Sequence, residues 1–224
     1  MLPIFLILPT FAALAYFILA AGHWSAPFIY GASKVVMVIA PIVLVWRHGW
    51  PAAWGPRASW QRIIYEGNLL GLVMGGLIIL AGTGPLLWLL QDAAPRIQDK
   101  ITAFGLTTLP AYLLATVVIS VLHSAFEEWY WRVHMVGALR RQQTANIAIL
   151  VGGLAFAGHH IVVAWFYAGP LAGCLLGLIV GLAGSCWSLL HRRHGSVYGA
   201  WIAHMWCDVA LMWLGWQALQ YFRS

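Results

Sequence analysis

Again and again this chain runs for about 20 residues with almost no charge, and that is the length a helix needs to cross a bilayer. Hydrocarbon offers no water to a backbone N–H or C=O, so each such run must satisfy its own hydrogen bonds by coiling into a helix. Hydrophobic length places spans at 3–21, 27–46, 67–90, 107–139, 147–166, 170–190 and 197–221. The expected fold is therefore all-α, a polytopic bundle of about seven transmembrane helices forming one membrane domain over 1–224. The run 107–139 exceeds one crossing, so it must tilt or project past the membrane. The Arg47–Arg62 connection, rich in Trp, Arg and Pro, reads as an interfacial segment holding a short amphipathic helix. Gln91–Lys100 reads as a polar loop.

With 62% hydrophobic and only 8% charged residues, a soluble domain is excluded. The net charge of +6 reflects loop arginines and few acids, and nucleic-acid binding would need a basic soluble face that is absent from the pattern. In a seven-span arrangement Arg47, Arg57, Arg62, Arg140, Arg141, Arg192 and Arg193 share one side, against Arg96, Lys100 and Arg223 on the other. The positive-inside rule then puts the N-terminus in the cytoplasm and the C-terminus outside, as in a bacterial inner membrane. Lys34, within the second span, is expected to snorkel towards the outer interface. The first run lacks a basic start and a small-residue cleavage site, so it is expected to be a span and not a removed signal. Cys174, Cys186 and Cys207 have no ligand spacing and read as small hydrophobes.

Against this background the polar residues inside the spans stand out. The chain has six acids, and Glu127 and Glu128 stand side by side in an apolar run. Intramembrane acids face a bundle interior or a wet cavity and are functional candidates by default. Arg132 is four residues after Glu128, in the favourable order for a helical ion pair, whereas Glu127 points about 100° away and lacks that partner. His159 and His160 follow in the fifth span. His204 and Asp208 are four residues apart in the seventh, spaced so that the carboxylate can orient the imidazole. At ~1.5 Å per residue, Glu128, His160 and His204 all lie on the order of 20 Å in from their nearest helix ends. His123, His134 and His159 read as hydrogen-bonding packing residues, and His191 and His194 as interfacial ones.

A carboxylate beside neutral imidazoles in a wet pocket is equipped to activate water for hydrolysis. The same donors suit a divalent metal such as zinc, with an open fourth position. Glu127-Glu128-x-x-x-Arg132, then Phe156-x-x-x-His160, then His204-x-x-x-Asp208 resemble the three motifs of the CPBP family of intramembrane proteases. That family comprises the CAAX-processing endopeptidases and the bacterial Abi, or bacteriocin-processing, proteins. The resemblance covers 107–214 as a catalytic core and leaves the helices of 1–106 unmatched. It implies an intramembrane cavity and cleavage of a membrane-associated protein or peptide near its C-terminus or membrane boundary. By position it implies that Glu127 activates water with His160 assisting, that Glu128 and Arg132 form a supporting pair, and that His204 and Asp208 hold the oxyanion. A metal, if used, would fall to Glu127, His160, His204 and Asp208. Position 208 can be Asn in the family, and an ionised Asp cannot donate to an oxyanion, which moves weight towards orienting His204 or binding metal.

Three other readings stand beside the protease. An immunity or accessory protein of the same fold would not need Glu127 and His160. A b-type cytochrome would use His160 and His204 but leave the glutamate pair and Arg132 without a role. A proton-coupled transporter also buries acids, yet no repeat halves are visible.

Overall fold

The computed structural model describes residues 2–50, 54–55 and 57–221. Among these, eight helices follow in order: α1 Leu2–Leu19, α2 Ala26–His48, α3 Trp60–Thr83, α4 Leu87–Ala103, α5 Leu109–Leu139, α6 Ala145–Ala168, α7 Pro170–His194 and α8 Tyr198–Tyr221. No strand occurs among the described residues. All but α4 and α8 are long and apolar enough to cross a membrane, for α2 over Gly31–His48. His204, Asp208 and two glutamines make α8 less apolar than those six, though it is long enough to cross.

Large apolar side chains such as Ile4, Leu72, Leu154 and Leu175 are exposed, while Glu127, Glu128, Arg132, His134 and His204 are buried. That inverts the soluble pattern, as a hydrocarbon surround requires.

Two expectations need correction. The third span starts earlier and stops earlier than 67–90. Ser59 caps it by accepting from the Arg62 amide at 3.4 Å, and an Arg62–Glu66 ion pair at 3.0 Å lets its first turns carry charge. The supposed loop Gln91–Lys100 lies inside helix α4. Its charges at Asp92, Arg96, Asp99 and Lys100 repeat every three or four residues, while Leu89, Ala93 and Ile101 are buried on another face. Polarity suggested a loop where the period specified an amphipathic helix. In the Arg47–Arg62 connection, 51–53 and 56 lie outside the described residues, and Trp54, Gly55 and 57–59 are not helical.

The contacts divide the chain into two units, Met1–Arg57 with Glu127–Val197 and Ala58–Phe126 with Tyr198–Ser224. In the first, α6 lies against α7 along a glycine seam. A methyl group at Gly177 would come within 2.6 Å of the Ile161 backbone nitrogen, and one at Gly181 within 2.9 Å of the Gly153 carbonyl. In the second, α3 meets α8 the same way. A methyl at Gly71 would stand 2.9 Å from the Ala203 Cα, and one at Gly75 3.0 Å from the Trp206 carbonyl. Lipid gives helices no hydrophobic reason to associate, so small residues that let backbones touch supply the attraction through close packing.

Candidate active site

Helix α5 carries the acids, and it is not a uniform α-helix. Two π-helical stretches, Val118–His123 and Trp129–Val136, flank a short α-helical segment, Ser124–Glu128. The Ser124 hydroxyl donates to the Ser120 carbonyl, so a side chain competes for the backbone acceptor just ahead of the glutamates. Wide π turns inside long helices recur at functional sites because they re-aim the side chains around them.

In the first unit Glu128 and Arg132 form the expected pair, Arg132 Nε donating to Glu128 Oε2 at 3.0 Å. Both residues are 0% exposed. The guanidinium also lies over the rings of Phe156, at 4.6 Å, and Trp187, at 5.5 Å. Its Nη1 and Nη2 are buried without a hydrogen-bond partner, and the ring faces stabilise the cation in their place. Room for it comes from α7, since a methyl at Gly184 would lie 3.1 Å from Nη2.

Glu127 is 4% exposed, and His159 reaches it, with Nε2 3.4 Å from Oε1. His159, read from the sequence as a packing residue, therefore belongs to the site. It lies flat and parallel to Trp131, with centroids 5.7 Å apart, and its ring is 4.0 Å from that of His160. The signal available in the sequence was a second histidine in the same span. His160 Nδ1 lies 3.1 Å from the Phe156 carbonyl, which can only accept. In the neutral ring the proton is then on Nδ1, and Nε2 carries the lone pair that a water proton or a metal needs.

Glu127, His159 and His160 each place one ligand atom within 4.8 Å of the other two. A tetrahedral zinc site with bonds of ~2.1 Å needs ligand atoms about 3.4 Å apart, so small side-chain rotations would close this set around an ion. The donors fit. Lys34 on α2 is partly buried and close enough to Glu127 for the two charges to interact, so its ammonium acts inside the bundle as well as at an interface. Glu127 has no cation four residues along its own helix, as the spacing implies, and Lys34 supplies a positive charge from another helix.

His191 and His194, expected at the interface, are buried at the end of α7. In the second unit, His204 Nε2 lies 3.6 Å from Asp208 Oδ1, the i,i+4 relation anticipated on α8. Trp201 Nε1 donates to the Val121 carbonyl at 3.0 Å and Trp206 Nε1 to Asn68 Oδ1 at 2.8 Å, which fixes the rotation of α8 against α5 and α3. Cys174, Cys186 and Cys207 are free thiols.

Comparison with curated proteins and with solved structures gave no significant match to either. The family model described as "Type II CAAX prenyl endopeptidase Rce1-like" matches residues 108–210, just under half of the chain. That stretch runs from the start of α5 into α8 and contains Glu127, Glu128, His159, His160, His204 and Asp208. Residues 108–210 are thus similar to the Rce1-like type II CAAX prenyl endopeptidase domain, consistent with an intramembrane protease of the CPBP family.

Proposed function

We propose that this multi-pass membrane protein is an endopeptidase that hydrolyses a peptide bond near the C-terminus or membrane boundary of a membrane-associated protein or peptide, using water activated by Glu127. The observation that carries this reading is a buried carboxylate held against one imidazole and beside another, in a bundle with few other acids. Glu127 removes a proton from water as the oxygen attacks the scissile carbonyl carbon. His160 Nε2 orients that water, and His159 shares the proton taken up. The carbonyl electrons collect on oxygen, and when they return the C–N bond breaks and the proton passes to the departing amine. Glu128 and Arg132 hold this turn of α5. His204 and Asp208 take the oxyanion role through the motif they match, with Asp208 orienting His204. The N-terminus lies in the cytoplasm by the arginine distribution.

The experiment is C-terminal proteomics of membrane proteins from cells with the wild type, without it, and with Glu127→Gln. Shortened C-termini should occur only with the wild type. The same termini in all three would remove the function.

A second reading is favoured by the spacing of three ligand atoms within 4.8 Å. Glu127, His159 and His160 would hold a divalent ion such as zinc, which when bound supplies a Lewis acid and an acidified water. Metal analysis of the wild type separates the two readings, and Asp208→Asn tests whether Asp208 joins the set. If Asp208 only supports the oxyanion side, Asn should serve, with activity within about threefold and no metal lost. If Asp208 completes a metal set, metal affinity and activity should both fall ~10- to 100-fold, the scale for a weakened metal shell.

A further inference from the structure

At the end of the first unit, where α2 and α5 finish, a cavity of about 170 Å³ opens beside the start of α1. Reckoned at ~30 Å³ per water, that is room for five or six waters or one phosphate-sized group. Leu2, Leu44 and Val45 form an apolar wall, and His48, His134 and Arg141 bring polar atoms to it.

Two of these residues mark it as a built site. His134 is 2% exposed and both of its ring nitrogens lack a hydrogen-bond partner among the described residues, although Trp129 packs edge-on against the ring at 4.5 Å. A buried imidazole with two unsatisfied nitrogens beside a cavity calls for a polar occupant. Arg141 is fixed by donating to the carbonyls of His48, Gly49 and Trp50, the Gly49 bond at 3.1 Å. These three carbonyls take three of its five N–H groups and none of its charge.

The surroundings are cationic. Arg140 lies over the Trp54 ring at 3.4 Å, Trp54 meets His191, and Arg192 donates to Asn146 at 2.8 Å, which brings the ends of α5, α7 and the start of α6 together. Burial first, and the charge of Arg192 second, lower the pKa of Arg140. The only acids in this unit's sequence are Glu127 and Glu128, back along α5. Neither of them lines the cavity. In a helix bundle of this apolarity the end of a span lies at lipid headgroup level.

We infer that this cavity binds the phosphate of an acidic phospholipid, with Arg141 and His134 on the headgroup and Leu44 and Val45 against the start of the acyl chains. The protein as purified in a mild detergent, titrated with dioleoyl phosphatidylglycerol, should gain thermal stability in a saturable way. Dioleoyl phosphatidylcholine, which lacks net charge, should not produce that gain. Inorganic phosphate alone should not either, and an equal gain from it would overturn a lipid source. Arg141→Gln should abolish the effect, but it also releases the end of α2. His134→Phe keeps the ring volume and is the cleaner variant. Removing one hydrogen bond to a charged group should weaken the apparent lipid affinity about tenfold. Arg193→Gln, outside the cavity, should leave it near the wild-type value. A His134→Phe protein that binds phosphatidylglycerol as well as wild type, or an Arg193→Gln protein that loses as much as His134→Phe, would overturn the inference in favour of diffuse charge attraction.

Discussion

Glu127→Gln should yield a folded protein that no longer cuts. The amide keeps the shape of the carboxylate, so the contacts of Glu127 with His159 and its place on α5 survive. What disappears is the basicity that takes up the water proton, since an amide oxygen accepts a hydrogen bond but not the proton itself, and loss of a positioned base is worth about 10²–10⁴ in rate. The cost in stability should be small. Lys34 loses a counter-charge, but replacing a buried carboxylate with a neutral amide also removes the cost of desolvating that charge, and the two effects oppose each other. Turnover of a verified substrate, measured with the melting temperature in the same detergent, checks both halves. Substantial cleavage by the variant would remove Glu127 from the role of base. Lost cleavage with a collapsed melting curve would make it a structural residue instead.

Arg132→Ala is expected to act through the fold as much as the chemistry. It takes the guanidinium away from Glu128, 0% exposed, and breaking a buried pair by removing one partner costs about 3–5 kcal/mol. It also empties the space between Phe156 and Trp187 that the guanidinium fills. We expect low abundance, a lower unfolding midpoint and no activity. Arg132→Lys restores charge without the planar cation stacked on two rings, so it should recover part of the stability and not all of it. Wild-type denaturation by Arg132→Ala would show that the pair contributes nothing.

Which parts of this site were legible follows from helix geometry. Glu128 with Arg132, and His204 with Asp208, are each four residues apart, and a helix brings such residues onto one face wherever it sits. Glu127 with His159 is a different kind of pair. It joins two helices, and it depends on how far α6 is rotated about its own axis, which is set by glycines meeting α7. Nothing local to His159 distinguishes it from His134, which the fold sends to a cavity at the other end of α5. Helix α4 is hidden from a reading by composition, because its polarity matches a loop and only the period of its charges marks a helix. The π stretches of α5 leave no mark in the sequence, since their β-branched and aromatic residues also suit an ordinary membrane helix and the extra residue in a wide turn has no side-chain signature. Lys34 was placed by a rule about lone lysines in spans, and the rule had no means of knowing that α2 passes near Glu127.

The glycine seam between α6 and α7 restricts how the protein can breathe. Helices separated by a layer of side chains can shear, because rotamers adjust as one slides over the other. Here, with backbone on backbone at Gly177 and Gly181, there is no such layer to adjust, and any slide would drive the Ile161 peptide into its neighbour. The pair therefore travels as one plank, carrying His159 and His160 with it, and an opening that admits a polypeptide has to form along some other border of the bundle. A covalent cross-link between α6 and α7 should on this view be kinetically silent, whereas slowed turnover would mean that the plank flexes.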